Sequence, residues 1–223
     1  MSPVSATSYL CASFAIATAR QAEAHRRWIK ASGHSSGNLL PLIPAIQQLG
    51  KLDMLLRQVE DERFLGIEGE EPFNAADIQA KFSNLWVLNA YEVFRVLVDR
   101  RIGDNIESRV RLRDDLSVVR VPLAKFEVER HIKVEGFGKK DRIPLHPKGA
   151  LPDQEQWFDP QDPDRWAMAG FLISRRGSIA WEVFDRRNAG YTVFERRELA
   201  DRALDLLIRS APPSQPHDET RAE

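Results

Sequence analysis

The sequence predicts an α+β protein, mostly α: a helical bundle of about four long helices, then a small three-stranded antiparallel meander and a closing helix. Three observations carry this. Over residues 1–135 apolar side chains recur every three or four positions, the period of helices that bury one face. After residue 165 the period drops towards two, in three short runs separated by turn-forming residues, as a meander requires. Between them, residues 136–164 contain Pro144, Pro147, Pro152, Pro160 and Pro163 with several aspartates, which reads as a long irregular connection. The expected division is therefore a bundle over 1–135, the connection over 136–164, the meander and helix over 165–209, and a disordered polar tail over 210–223.

The first helix is expected over residues 8–31, alanine-rich and so suited to close packing. Residues 10–19 are mildly apolar and end in small residues, as a signal peptide does. No Lys or Arg precedes them, however, and the helical pattern continues through Arg20, Glu23 and Arg27 to Trp28. A cytoplasmic protein is expected on that ground. No stretch approaches the ~20 apolar residues of a membrane span, so no membrane is expected among its partners. Residues 32–38 are rich in Ser and Gly and read as a loop.

The second helix has the cleanest period. Leu42, Ile46, Leu49, Leu52, Leu56 and Val59 are spaced 4, 3, 3, 4 and 3, which holds one stripe in register over five turns. That stripe could pack within the chain or form a homodimer seam. Glycines and acids over 66–71 end it, and Asn74 is placed to cap the next helix. The third helix, over 75–102, is apolar nearly all round from Leu85 to Val98 and is expected at the bundle centre. Asn89, Glu92, Arg95 and Asp99 interrupt it as one narrow stripe. In a central helix that stripe is expected to be buried, as a polar network reaching Arg120 or Lys125 or as a pocket for a ligand; simple solvent exposure is the remaining alternative.

The fourth helix is expected over 105–134, with Leu116, Val119, Leu123 and Phe126 on one side and Pro122 kinking or splitting it. Strands are expected over 169–174, 178–184 and 191–195, and the closing helix over 198–208. With a tight first hairpin, Leu172, Ile179, Trp181 and Val183 share one sheet face, and Phe171, Ile173 and Phe184 the other. Both faces are then mostly apolar, which suits a sheet between helical layers in one composite domain.

Charge narrows the function classes. The 223 residues carry a net charge of -1, so any pull on nucleic acid or a membrane surface must be local. Two arginines face eight acids over 53–77, whereas residues 1–34 and 99–142 each carry a net +3; oppositely charged helices lying side by side are the plain expectation. Three arginine pairs recur near the end: Arg175-Arg176, Arg186-Arg187 and Arg196-Arg197. An up-down-up meander brings the first and third pairs to one sheet edge. There Arg175, Arg176, Arg196 and Arg197 form a candidate clamp for phosphate or carboxylate.

Catalytic chemistry has little foothold. The one cysteine, Cys11, excludes an intramolecular disulfide framework and a cysteine-rich zinc site. No two of the five histidines share a helical turn, and Glu127 with His131 supplies only two of the ligands a metal needs. No cofactor or metal is expected, since the phosphate-binding and nucleophile-elbow motifs are lacking and the glycines and lysines of residues 136–140 match neither fingerprint. The helical front invites comparison with the HEPN class of small helical ribonucleases, which carry an Arg and a His four to six residues apart. Arg20 with His25 and Arg27 with His34 fit that spacing. Composition alone yields about 1.6 such pairs, so the two present add no weight. The expected function is a non-catalytic intracellular binding or regulatory protein that recognises another macromolecule, with a protein as partner. A nucleic-acid-directed enzyme using Arg20 and His25 is the alternative.

Overall fold

A computed structural model describes residues 5–35, 40–67, 72–133, 143–145, 156–159, 169–188 and 190–209. Among them six helices and five strands follow in order: α1 (Ala6–Arg20), α2 (Ala22–Ser35), α3 (Leu42–Phe64), α4 (Pro72–Asp99), α5 (Ile106–Lys125), β1 (Ile143–Leu145), β2 (Gln156–Phe158), β3 (Gly170–Ile173), β4 (Ile179–Asp185), β5 (Gly190–Glu195) and α6 (Arg196–Ile208). The expected class holds: mostly helix, with a three-stranded antiparallel sheet in the order β3-β4-β5 and a closing helix.

The periodic stripe of α3 explains its place. Leu42, Ile46, Leu49, Leu52 and Leu56 are all buried, and α1, α2 and α4 pack around it. The first expected helix is in fact two, because the chain bends at Gln21 (φ -100, ψ 35). The bend lets α1 run along α3 in the same direction, with Ala17 against Met54 and Leu55 and Gln21 Nε2 donating to Asp61 Oδ2 at 2.7 Å. It also lets α2 run back the other way, with Trp28 beside Gly50 and Gln47 donating to Ser32. One straight helix could not cover both sides of α3. A Cβ on Gly50 would lie 2.6 Å from Trp28 Cβ, so glycine is what admits the indole. Helix α2 continues through Ser35, so residues 32–35 are helical rather than loop.

Helix α4 starts at Pro72, which suits proline because the first helical residue has no N–H to bond. Asn74 consequently lies in the first turn and not at the cap. Trp86, Val87, Ala90, Phe94 and Leu97 are fully enclosed, but Leu85 is exposed: one side of this helix is open. Helix α5 ends at Lys125, with Phe126 in the left-handed region donating its N–H to the Pro122 carbonyl at 3.2 Å. Pro122 therefore does not split the helix; it lies in the last full turn. Glu127 and His131 fall beyond the helix, where Glu127 pairs with Arg130 at 3.2 Å.

The first hairpin corrects the expected sheet faces. Phe171 pairs with Trp181 and Ile173 with Ile179, so Phe171, Ile173, Ile179, Trp181 and Val183 share a face while Leu172 sits opposite with Ala180 and Phe184. The cause is a three-residue loop, Arg175 to Gly177, closed by Ser174 N–H to Ser178 O at 2.8 Å. Gly177 takes the left-handed conformation (φ +74). That one extra residue shifts the register by one and exchanges the faces.

Ile179, Trp181, Val183 and Phe194 join the helices in one apolar cluster with Leu199, Ala200, Ala203, Leu204 and Leu207 of α6. The connection is not wholly irregular, because β1 and β2 pair antiparallel, Ile143 opposite Phe158. The basic turn of residues 136–140 and the tail from residue 210 lie outside the described residues. No helix among the described residues is long and apolar enough to cross a membrane.

Candidate functional site

Two features compete for the site: a charged cluster inside the molecule and an apolar groove on its surface. The cluster begins on α3, where Ile46, Asp53 and Glu60 are spaced by seven and fall in one column. Both carboxylates are therefore carried into the core with Ile46, and both are fully buried. Arg196, the first residue of α6, follows β5 without a loop and enters the same space. Its Nε donates to Glu60 Oε1 at 2.9 Å and its Nη2 to the same oxygen at 2.6 Å, while Nη1 bonds Asp53 Oδ1. Trp28 Nε1 and Arg57 Nε supply the other Asp53 oxygen at 2.8 and 2.7 Å, and Ser178 Oγ donates to Glu60 at 2.8 Å. The network ties α2, α3, the first hairpin and α6 together.

Arg196 is 0% exposed, so it touches no partner and the expected four-arginine clamp does not form. Arg175 and Arg176 are exposed, as expected of turn residues. Arg176 and Arg197 do meet, in a pocket of about 300 Å³ with Arg57, Asp61, Phe64 and Asp201. Four of those charges are already spent: Arg197 is bonded to Glu60 at 3.0 Å and lies 3.5 Å from Asp61, and Arg57 is bonded to Asp201 at 2.5 Å. The middle pair lies at the other sheet end, where Arg187 pairs with Asp185 and Asp115 at 2.7 and 2.8 Å.

The cluster has a pH signature. Burial works to raise the Asp53 carboxyl, but Arg196 and Arg57, with hydrogen bonds from Arg57 and Trp28, hold it below the ordinary carboxylate range. As pH falls, the unfolded chain therefore takes up this proton first. The stabilisation is complete above the free-aspartate value of about 3.9 and is lost as pH falls through the lower folded value. Denaturant midpoints are expected to hold down to about pH 5 and then drop. The drop should be shallower in Asp53→Asn, which starts less stable at neutral pH. An identical acid slope in the two proteins would exclude Asp53 as its source.

The stripe Asn89, Glu92 and Arg95 corrects a second expectation. All three are exposed, not buried. Arg95 donates to Glu92 at 2.8 Å and to Asp99 at 3.1 Å, and Arg120 lies 3.6 Å from Glu92 and 4.5 Å above the Tyr91 ring. Arg120 is thus the partner the spacing suggested, but on the surface. The stripe reaches solvent because, among the described residues, no further helix covers that side of α4.

What lies there instead is the groove. Its floor is Gln48, Lys51 and Leu52 of α3; one wall is Phe82, Leu85 and Asn89 of α4. The other is Cys11, Phe14, Ala15, Thr18 and Ala19 of α1, with His25 nearby on α2. Each set recurs at helical spacing, so three helices each present a full stripe to one space. That space measures about 910 Å³. It continues past Gln48 and Asn89 into a smaller stretch of about 180 Å³ between Leu42 and Ala45 of α3 and Glu92, Val93 and Val96 of α4. Within the described residues Gln48, Lys51, Asn89 and His25 make no side-chain hydrogen bond or ion pair, so their polar groups are available to a ligand.

The chain matches no protein-family model, no curated protein and no solved structure. Function must therefore be read from the geometry alone. Arg20 and His25 are not brought to one cleft: His25 borders the groove, whereas Arg20 reaches Glu62 at 3.8 Å. Arg27 pairs with Asp205 at 2.5 Å, and the His34 side chain is outside the described residues. Among the described residues no three His, Cys, Asp or Glu side chains gather as metal ligands.

Sequence reasoning missed both the internal cluster and the groove. The cluster left a signal: two acids in the same helical column as Ile46. The groove left a fainter one, an α1 without a charged residue before Arg20.

Proposed function

We propose that this protein is a non-catalytic cytoplasmic binding protein that recognises another protein, holding a helix of that partner in the groove over α3. One observation carries this: three helices line the groove at helical spacing, with apolar walls from Phe14, Ala15, Phe82 and Leu85 and uncommitted polar groups at Gln48, Lys51 and Asn89, as a three-helix surface does when a fourth helix belongs on it. Helix α1 lends support. It has no charge before Arg20, yet Ala17 is its single buried residue and Tyr9 remains 64% exposed. A helix without a charge on any side over about four turns suits an interior better than a surface, and an occupied groove would enclose a second face of it.

Cys11 offers the test, because it is the sole cysteine, exposed, and on the groove wall. A maleimide-benzophenone on its Sγ, photolysed in cell extract, is expected to mark a discrete peptide with an amphipathic helical pattern. The synthetic peptide should bind the intact protein with roughly micromolar affinity. Leu85→Glu should weaken it about tenfold or more, by setting an unpaired charge on the apolar wall. Leu85 is 46% exposed, so the fold survives the change, as circular dichroism should verify. Crosslinks confined to nucleic acid or to a second copy of the chain would overturn the proposal, as would peptide binding indifferent to Leu85→Glu.

A further inference from the structure

The groove is long, and its two ends differ in charge. From Leu42 to Leu52 on α3 and from Phe82 to Val96 on α4, at 1.5 Å per residue, it runs for about 15–21 Å, three to four helical turns. Among the described residues Lys51 is the one lysine or arginine of the lining, and no acid accompanies it in the larger part. Its ammonium has no ion-pair partner among the described residues. The sole acid of the lining among the described residues, Glu92, is at the far end and is already balanced by Arg95 and Arg120. Between the ends, Gln48 and Asn89 belong to both stretches and line opposite sides, from α3 and α4. Small residues, Ala15 and Ala19 on one wall and Ala45 further along, leave space for large apolar anchors.

We propose that the groove takes its partner helix in one direction, parallel to α3, with the C-terminal turns and an Asp or Glu of the partner against Lys51 and His25. This rests on the groove being a helix-binding site. The physical cause is twofold. A helix carries about half a negative charge at its C-terminus, which an unpaired ammonium attracts, and an acidic side chain in the same turns adds a direct ion pair. At the middle, the Gln48 and Asn89 amides require a hydrogen-bonding side chain from the partner, since an apolar residue there would leave two amides without water or a bond. The occupant is therefore an amphipathic helix with apolar anchors on either side of one polar residue and an acid near its C-terminal end. A second copy's α1 does not fit this description, because no acid occurs in Ala6–Arg20.

A display library of amphipathic helices about three to four turns long, selected on the intact protein and depleted on the Leu85→Glu variant, tests the direction. The expected survivors concentrate Asp and Glu in the last two turns and a polar residue near the centre. The best of them should lose about tenfold in affinity on Lys51→Glu and recover when its own acid is changed to Lys. Lys51 is exposed, so the variant stays folded. Survivors with acids at the N-terminal end, or indifferent to Lys51→Glu, would overturn the direction while leaving the helix site standing. A library without enrichment over Leu85→Glu would remove the helix site itself, and the direction with it.

Discussion

Arg196→Met is expected to destabilise the protein by about 3–5 kcal/mol, the penalty typical of breaking a buried ion cluster from one side. The guanidinium serves two fully buried carboxylates, Asp53 and Glu60. Burial alone works to lower its pKa, yet Glu60 and Asp53 hold it above the ordinary arginine value. Methionine fills similar space but leaves Glu60 with Arg197 and Ser178 only, and Asp53 with Arg57 and Trp28. The loss should appear as a lower denaturant midpoint at unchanged slope. Arg196→Lys is expected to fall between, because one compact ammonium cannot span both acids as a planar fork does. Adding Glu60→Gln to Arg196→Met should restore part of the loss, since the stranded charge is then removed. If Arg196→Met is as stable as the parent, the ionic cluster is not a determinant of the fold.

Why that cluster escaped a reading of residues is physical. Three Arg-Arg pairs look alike in the chain, each following a strand or filling a turn. Their fates are set by what stands opposite: solvent for Arg175 and Arg176, Asp115 and Asp185 for Arg187, and the enclosed column of Asp53 and Glu60 for Arg196. Local pattern determines the element, whereas long-range packing decides the environment. The meander was legible for the first reason. Its strands fall within about two residues of their expected limits because alternation and turn residues are local. Its face assignment failed by one residue because the loop length, fixed by the left-handed Gly177, is not encoded in alternation.

The α4 stripe failed in the opposite direction. From Leu85 to Val98 the helix is apolar enough to be central, and Trp86, Val87, Ala90, Val93, Phe94 and Leu97 are enclosed. Asn89, Glu92 and Arg95 nevertheless line or flank the groove, where the next helix would stand. A stripe that is polar by sequence, on a helix otherwise apolar, marks the boundary of what this chain covers by itself. The groove begins at that boundary.

Gly177→Ala is expected to be the most damaging change of a single methyl group, and Gly66→Ala is its natural control. Both glycines have left-handed backbone, φ +74 and φ +66, so alanine at either position carries a strain of about 1–2 kcal/mol. They differ in their surroundings. A Cβ on Gly66 meets nothing within 4 Å, whereas one on Gly177 would lie 2.5 Å from the Glu60 carbonyl oxygen and 3.3 Å from Arg63 Cβ. A backbone atom of α3 cannot swing aside as a side chain can, so the hairpin itself must move, at about 1–3 kcal/mol more. Movement would also stretch the bonds that hold the hairpin there: Ser178 Oγ to Glu60 at 2.8 Å, and Gln79 Nε2 to the Gly177 carbonyl at 2.8 Å. The two variants are therefore expected to separate clearly in a denaturant titration, with Gly66→Ala about 1–2 kcal/mol below the parent and Gly177→Ala about 1–3 kcal/mol below that. Equal losses would mean that backbone strain alone is at work and that the hairpin is not seated on α3. A larger loss at Gly177 would locate the junction of sheet and bundle at the turn that carries Arg175 and Arg176, directly over the buried carboxylate of Glu60.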